Sequence, residues 1–193
     1  MCGIVAYLGR DSIKGREFVV RGNALIAHRG PDDEGVFVGD GVVLGNRRLA
    51  IVDLSQAGHQ PMTSEDGRWT IAYNGEIYNH RDLRERYCKD WPFRSRTDTE
   101  TILALLTTQG ASAFTEMVGM WALALWDAKE RKLLLSRDRY GQKPLYWRAC
   151  ADGGLRFASE IKPLLEPDEQ NEMYAPAVAE YLATGNYGHL GER

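Results

Sequence analysis

The sequence has little cysteine: three residues, Cys2, Cys88 and Cys150, in 193. The number is odd and no C-x-x-C spacing occurs, which argues against a disulfide framework or a zinc site. It has no long apolar run, none approaching the roughly 18 residues of a membrane-spanning helix. It has no excess of basic residues: 24 Lys and Arg stand against 27 Asp and Glu, a net charge of -3. A basic nucleic-acid footprint and a polybasic membrane anchor are therefore not expected. No positive segment precedes the first apolar stretch, so Met1-Cys2-Gly3-Ile4 does not read as a secretory leader. What remains is the profile of a cytoplasmic chain with one core. Apolar residues make up 44% and charged residues 26%. A chain this long can bury about 70% of its unfolded surface without a covalent staple. Glycine is the one excess: 20 of 193 residues, against an average of about 7%. Many glycines fall in short motifs, pointing to tight turns or close backbone approach to a ligand.

Hydrophobic periodicity gives a coarse map. Gly3 to Gly9 reads as a buried strand, and Asp11 or Ser12 caps a helix running to about Ala27. Asp40-Gly41 between two β-branched runs is a hairpin signal. Arg48 to Asp53 reads as a further strand. Trp69 to Tyr73 reads as a strand ending on Asn74-Gly75. Asn79 or His80 to Cys88 and Glu100 to about Gln109 read as helices, the second capped by Thr99. Trp121 to Trp126 pairs with Leu133 to Ser136, and Pro144 to Ala149 pairs with Leu155 to Ala158 across Asp152-Gly153-Gly154. Tyr174 to Ala183 is a final amphipathic helix candidate. Cys88 and Cys150 read as small buried apolar side chains. Sequential hairpins imply antiparallel sheets. Two such sheets with helices outside satisfy the pattern, an α+β fold.

Four segments admit both a chemical and a structural reading. Cys2 is an ordinary second residue unless Met1 is removed. If it is, the free α-amine can take the thiol proton and the nucleophile carries its own base. Asn74-Gly75 is either a turn or a pair of donors, one amide and one backbone N–H, able to hold a single oxyanion. Glu76 beside them could bind a cation. Arg48 is either a solvated strand charge or a bidentate grip on a carboxylate. Thr97-Asp98-Thr99-Glu100 is either a simple helix cap or a polar site before the helix.

Together these segments resemble a known family. The ordered set runs through Met1-Cys2-Gly3-Ile4, His28-Arg29-Gly30-Pro31-Asp32, Arg47-Arg48-Leu49-Ala50-Ile51-Val52-Asp53 and Gly58-His59-Gln60-Pro61-Met62. It continues with Tyr73-Asn74-Gly75-Glu76-Ile77-Tyr78-Asn79, Thr97-Asp98-Thr99-Glu100, Arg137-Asp138-Arg139-Tyr140-Gly141 and Phe157-Ala158-Ser159-Glu160-Ile161-Lys162. It is similar to the glutaminase domain of glutamine-hydrolysing asparagine synthetases, which are class II glutamine amidotransferases. Tyr73 before Asn74, where sibling branches usually carry histidine, favours that branch. Asn46, Arg96-Thr97 and Gln142 depart from its usual pattern.

The resemblance covers about residues 1–165, leaving 166–193 as a peripheral tail or the start of a linker to a synthetase domain. It implies a four-layer αββα sandwich of the N-terminal nucleophile hydrolase type. It implies hydrolysis of L-glutamine to L-glutamate and ammonia through a thioester on Cys2, with Asn74 and Gly75 holding the oxyanion. Arg48 would take the α-carboxylate of glutamine, Asp98 and Glu76 its α-ammonium, and backbone at Ile51 and Val52 would line the pocket. No metal or organic cofactor is needed for that half-reaction. ATP and Mg belong to the synthetase domain, and no Ser-Gly-Gly-x-Asp-Ser loop occurs in these residues. The partners implied are L-glutamine and that synthetase domain, with no nucleic acid or membrane; a homodimer is compatible. Three other readings stand beside it: a domain serving the amidation of another carboxylate, a silent glutamine-binding or interaction domain, and an amidase acting on peptides.

Overall fold

Alternation of side chains decides the layers, because successive residues of a strand face opposite ways. In β1 (Gly3–Leu8), Ile4 and Ala6 pack with Val42, Leu44, Ala72, Ala124, Trp126 and Phe157. Val5 and Tyr7 pack the other way, with Phe18, Val19 and Val43. The strand is buried on both faces, which is why its sequence is apolar almost throughout. The computed structural model describes residues 1–151, 153–166, 169 and 173–185.

Two antiparallel sheets enclose the first of these cores. β2 (Asp33–Gly39), β3 (Val42–Arg48), β1, β9 (Leu155–Ala158) and β8 (Tyr146–Ala149) form one, in the order β2-β3-β1-β9-β8. β4 (Met62–Thr63), β5 (Trp69–Ile77), β6 (Gly119–Asp127) and β7 (Lys132–Arg137) form the other, in that order. Helix α1 (Ser12–Leu25) covers the outer face of the first sheet through Phe18 and Val19, capped by Asp11, whose side chain accepts from Lys14 N. Helices α2 (His80–Tyr87) and α3 (Asp98–Gln109) cover the second sheet. Leu83, Ile102, Leu105 and Leu106 meet Ile71, Tyr73, Ile77, Leu123 and Leu125 there. The layers run helix, sheet, sheet, helix, as the sequence led us to expect. No helix among the described residues is long and apolar enough to cross a membrane.

Several boundaries differ from the sequence reading. Residues 49–53 are irregular, and the strand expected over Arg48 to Asp53 ends at Arg48. Ile51 is 68% exposed, so the apolar run there is not core. β5 continues through Asn74-Gly75 to Ile77 instead of turning. The cap of α3 is Thr97, not Thr99: its Oγ1 accepts from Glu100 N at 3.2 Å. The two-residue strand β4 carried no readable period. α4 (Ala175–Thr184) forms, yet none of its residues is buried. Cys88 is buried, whereas Cys150 is only half-buried. Asp152 and much of 166–193 lie outside the described residues.

Candidate active site

The same parity assembles the pocket. Cys2 extends the inward-facing series of Ile4 and Ala6, while Asn46 and Arg48 extend that of Val42 and Leu44. From the second sheet, Asn74 and Glu76 follow Ala72 on the face turned toward the first. The inner apolar layer thus ends in polar groups where the two sheets open. Cys2, Arg48, Asn74 and Glu76, with Gly75, Ile51, Val52 and Asp98, line one pocket of about 150 Å³. That is smaller than the roughly 300–1,000 Å³ of a drug-sized site and suits a small metabolite. Every residue proposed for the site from sequence is therefore brought to the same place.

Cys2 is half-buried at the start of β1. Its Sγ receives a hydrogen bond from Leu49 N at 3.4 Å and lies 3.7 Å from Leu49 O. Burial pushes the thiol pKa up, while the Leu49 N–H, the chain's N-terminal charge and Arg48 pull it down. The net is upward, so the resting group is a thiol and a base must remove its proton. The backbone of Cys2 is held as well: Arg29 Nε donates to Cys2 O at 3.0 Å, and Arg29 Nη1 donates to Glu160 at 3.0 Å.

Asn74 is 1% exposed, and its side-chain Nδ2 has no hydrogen-bond partner among the described residues. A buried donor left unpaired costs about 1–3 kcal/mol, and such an orphan points to a missing acceptor. Gly75 supplies a second donor. Tyr78 N donates to Val118 O on the β6 side, whereas Tyr73 N donates to Gln60 and Ile77 N to Asp98 on the other side. By the same alternation Gly75 N–H points away from β6, toward the pocket. A Cβ at position 75 would overlap Met120 O, so only glycine lets the two strands approach here.

Arg48 is 6% exposed. Its Nη1 donates to Ser55 O at 3.1 Å and its Nη2 to Asp53 O. The segment expected as a strand is instead wrapped around this guanidinium. Gly58 permits that packing, since a Cβ there would overlap Arg48 Nη2. Ile51 and Val52 are consequently at the pocket rim, both exposed. Asp53 ties the wrap to the segment before α3, its carboxylate accepting from Arg96 N, Ser55 N and Ser55 Oγ. Those bonds hold its pKa at about 2.

Asp98 opens α3 and is buried. Oδ2 accepts from Tyr73 OH and Ile77 N, both at 2.9 Å, and Oδ1 from Thr99 N at 3.0 Å. Burial and Asp98 raise the Tyr73 phenol pKa well above its ordinary value, so it stays a donor. Asp98 thus reaches the pocket already supplied with three protein donors. Glu76 is half-buried, and its carboxylate has no hydrogen-bond or ion-pair partner among the described residues.

Sequence reasoning assigned no role to Gln60 or Lys143. Gln60 Oε1 accepts from Tyr73 N at 2.7 Å and from Asn46 Nδ2 at 3.4 Å; its Nε2 donates to Thr99 Oγ1 at 3.3 Å. It joins both sheets to α3. Lys143 enters the pocket from the loop after β7, and Asp138 shapes that loop. The Asp138 carboxylate accepts from the backbone N–H of Trp121, Tyr140, Gln142 and Lys143. Gln60 lies in one recognisable motif and Lys143 stands two residues after another. Neither residue type announces pocket placement by itself.

The sequence profile of the glutamine amidotransferase domain matches residues 1–189. The chain is 35% identical to asparagine synthetase [glutamine-hydrolyzing] 1 of Bacillus subtilis, across 95% of its own length and 29% of that protein. It is 38% identical to asparagine synthetase B [glutamine-hydrolyzing] of Escherichia coli, across 86% of its own length and 30% of that protein. It therefore spans less than a third of either relative. Among solved structures, the glutamine phosphoribosylpyrophosphate amidotransferase of B. subtilis, complexed with ADP and GMP, matches with a TM-score of 0.72. The identity is 19%, over 84% of this chain and 43% of that one, and the likeness is one of fold.

Proposed function

Because the chain belongs to the glutamine amidotransferase domain family, we propose that it hydrolyses the side-chain amide of L-glutamine through a thioester on Cys2. With Met1 removed, the Cys2 α-amine accepts the thiol proton and Sγ attacks the amide carbon. The oxygen of the tetrahedral intermediate takes its hydrogen bonds from Asn74 Nδ2 and Gly75 N–H. The ammonium then protonates the departing nitrogen, ammonia leaves, and the γ-glutamyl thioester remains. Water, deprotonated by the same amine, cleaves the thioester to L-glutamate and restores the thiol. Arg48 binds the α-carboxylate with its remaining N–H groups, while Asp98 and Glu76 face the α-ammonium. The observation that carries this reading is the buried, partnerless Nδ2 of Asn74, in one pocket with Cys2.

In the longer proteins of this kind, we read residues 1–165 as the glutaminase unit. The ammonia it frees would serve an ATP-dependent domain that amidates aspartate or a related carboxylate. The names of the B. subtilis and E. coli relatives support that assignment.

Ammonia release from glutamine tests the half-reaction directly, and Arg48→Ala tests the substrate pose. A hydrogen bond to a charged group contributes about 1.5–3 kcal/mol, so KM for glutamine should rise roughly 10- to 100-fold. Arg48 also holds the 49–55 wrap, so the wild type should be compared on a glutamine derivative whose α-carboxylate is converted to an amide. The wild type should lose a similar factor on that derivative, and Arg48→Ala should lose little more. If the two penalties multiply instead, Arg48 does not bind the carboxylate.

A further inference from the structure

Lys143 is 5% exposed, and among the described residues its ammonium has one hydrogen-bond partner, the thioether of Met1 at 2.9 Å. A thioether is a weak acceptor. A buried ammonium so poorly matched is costly to keep, and its aim is fixed. Lys143 N donates to Asp138 Oδ2 at 3.0 Å, and Lys143 O accepts from Arg137 Nε at 2.9 Å. The backbone is clamped on both sides and the side chain runs into the Cys2 pocket. Met1 Sδ is tied to the Cys2 nitrogen by one side chain and one peptide bond. Lys143 Nζ and that nitrogen therefore lie within roughly 9 Å.

We propose that Lys143 is a positioning residue for the thioester chemistry, its charge holding the freed Cys2 α-amine in the neutral, proton-accepting form. The inference rests on the function proposed above. An α-amine free in solution titrates near 7.7–8.0, so at neutral pH it is mostly an ammonium, with no lone pair for the thiol proton. A fixed cation in a partly desolvated wall opposes the ammonium and favours the thiolate. Other charged and titratable groups face the same space. Arg48, on β3, acts in the same sense as Lys143, and so does Arg29, whose charge Glu160 partly offsets. Asp53, Glu76 and Asp98 act in the opposite sense, and Tyr73 is a neutral donor. Asp98 and Asp53 are already supplied with protein donors, which leaves Glu76 as the main opponent. Loss of Met1 removes the thioether and leaves Lys143 facing the new α-amine across the vacated space.

The test is the pH profile of kcat/KM for glutamine, measured on protein shown by mass to lack Met1. Removing the cation raises the pKa of the amine, so activity is lost first at low pH. Lys143→Met, and Lys143→Gln as a second neutral variant, should move the acidic limb upward by about one pH unit. That is roughly tenfold lower kcat/KM below the limb, with an unchanged plateau above it. Lys143→Arg should keep the wild-type limb. Neutral variants that share the wild-type limb, or fall uniformly at every pH, would overturn the assignment of Lys143 while leaving the thioester mechanism standing. A wild type that turns over no glutamine at any pH would overturn both.

Discussion

Replacing Cys2 with alanine is expected to leave a folded protein that releases no ammonia from glutamine. The side chain is short and half-buried, and it precedes the ladder that pairs Gly3 with Arg47. Its loss removes one sulfur from the edge of the inner layer, a change worth at most about 1 kcal/mol. The chemistry has no substitute. Cys88 is buried at the C-cap of α2 and Cys150 follows β8, and neither lines the pocket. Asn74, Gly75 and Arg48 would still bind glutamine, but no atom would attack it. Ammonia release should fall to the uncatalysed background while the thermal midpoint stays close to wild type. Residual turnover near the wild-type rate would mean that another group is the nucleophile.

Asn74→Ala should give the second-largest effect and a distinctive pattern. Removing one oxyanion donor lowers kcat by about 10²–10³, roughly 2.7–4 kcal/mol. KM should change little, because the donor acts on charge that appears only in the transition state. Stability should hold within about 1 kcal/mol, since Nδ2 makes no hydrogen bond to lose. A structural asparagine would behave in the opposite way, losing stability first and activity only in proportion to unfolding. Steady-state kinetics beside thermal unfolding of the same preparation separates the two.

The layers of the fold were legible from the hairpin signals and from central strands that are apolar throughout. Val42-Val43-Leu44 on β3 and Trp121 to Trp126 on β6 are apolar on both faces, and the sheets bury both. The misreadings share a cause. Leu49 to Val52 has the composition of a strand, but the Arg48 guanidinium draws the carbonyls of Asp53 and Ser55 around itself. A tertiary bond overrides local propensity there. Asn74-Gly75 has turn chemistry, yet Gly75 is needed mid-strand because Met120 O leaves no room for a Cβ. Thr97 and Thr99 are equivalent caps in sequence; what separates them is that Thr99 Oγ1 accepts from Gln60.

The site was legible to the extent that its residues sit in motifs. Cys2, Arg48, Asn74, Gly75, Glu76 and Asp98 all do, and all reach one pocket. What the motifs did not carry is how far each group is already satisfied. Asp98 arrives with three donors, Arg48 with two backbone acceptors and Asn74 Nδ2 with none. Those differences depend on neighbours distant in sequence, and they separate groups that hold the pocket from groups that await a ligand. Lys143 differs: three of the four backbone N–H groups that Asp138 accepts from lie within five residues of it, but that run does not show that the side chain enters the pocket.

In the proposed reaction Cys2, freed of Met1, is the nucleophile toward glutamine. Covalent trapping tests it most directly. The protein is incubated with a glutamine analogue carrying a diazoketone in place of the side-chain amide, then examined by intact mass and peptide mapping. One adduct per chain is expected, on Cys2, in an N-terminal peptide lacking Met1. Excess L-glutamine should prevent it, and Cys88 and Cys150 should stay unmodified. An adduct confined to another residue, or formed equally well on Cys2 in chains that retain Met1, would contradict it.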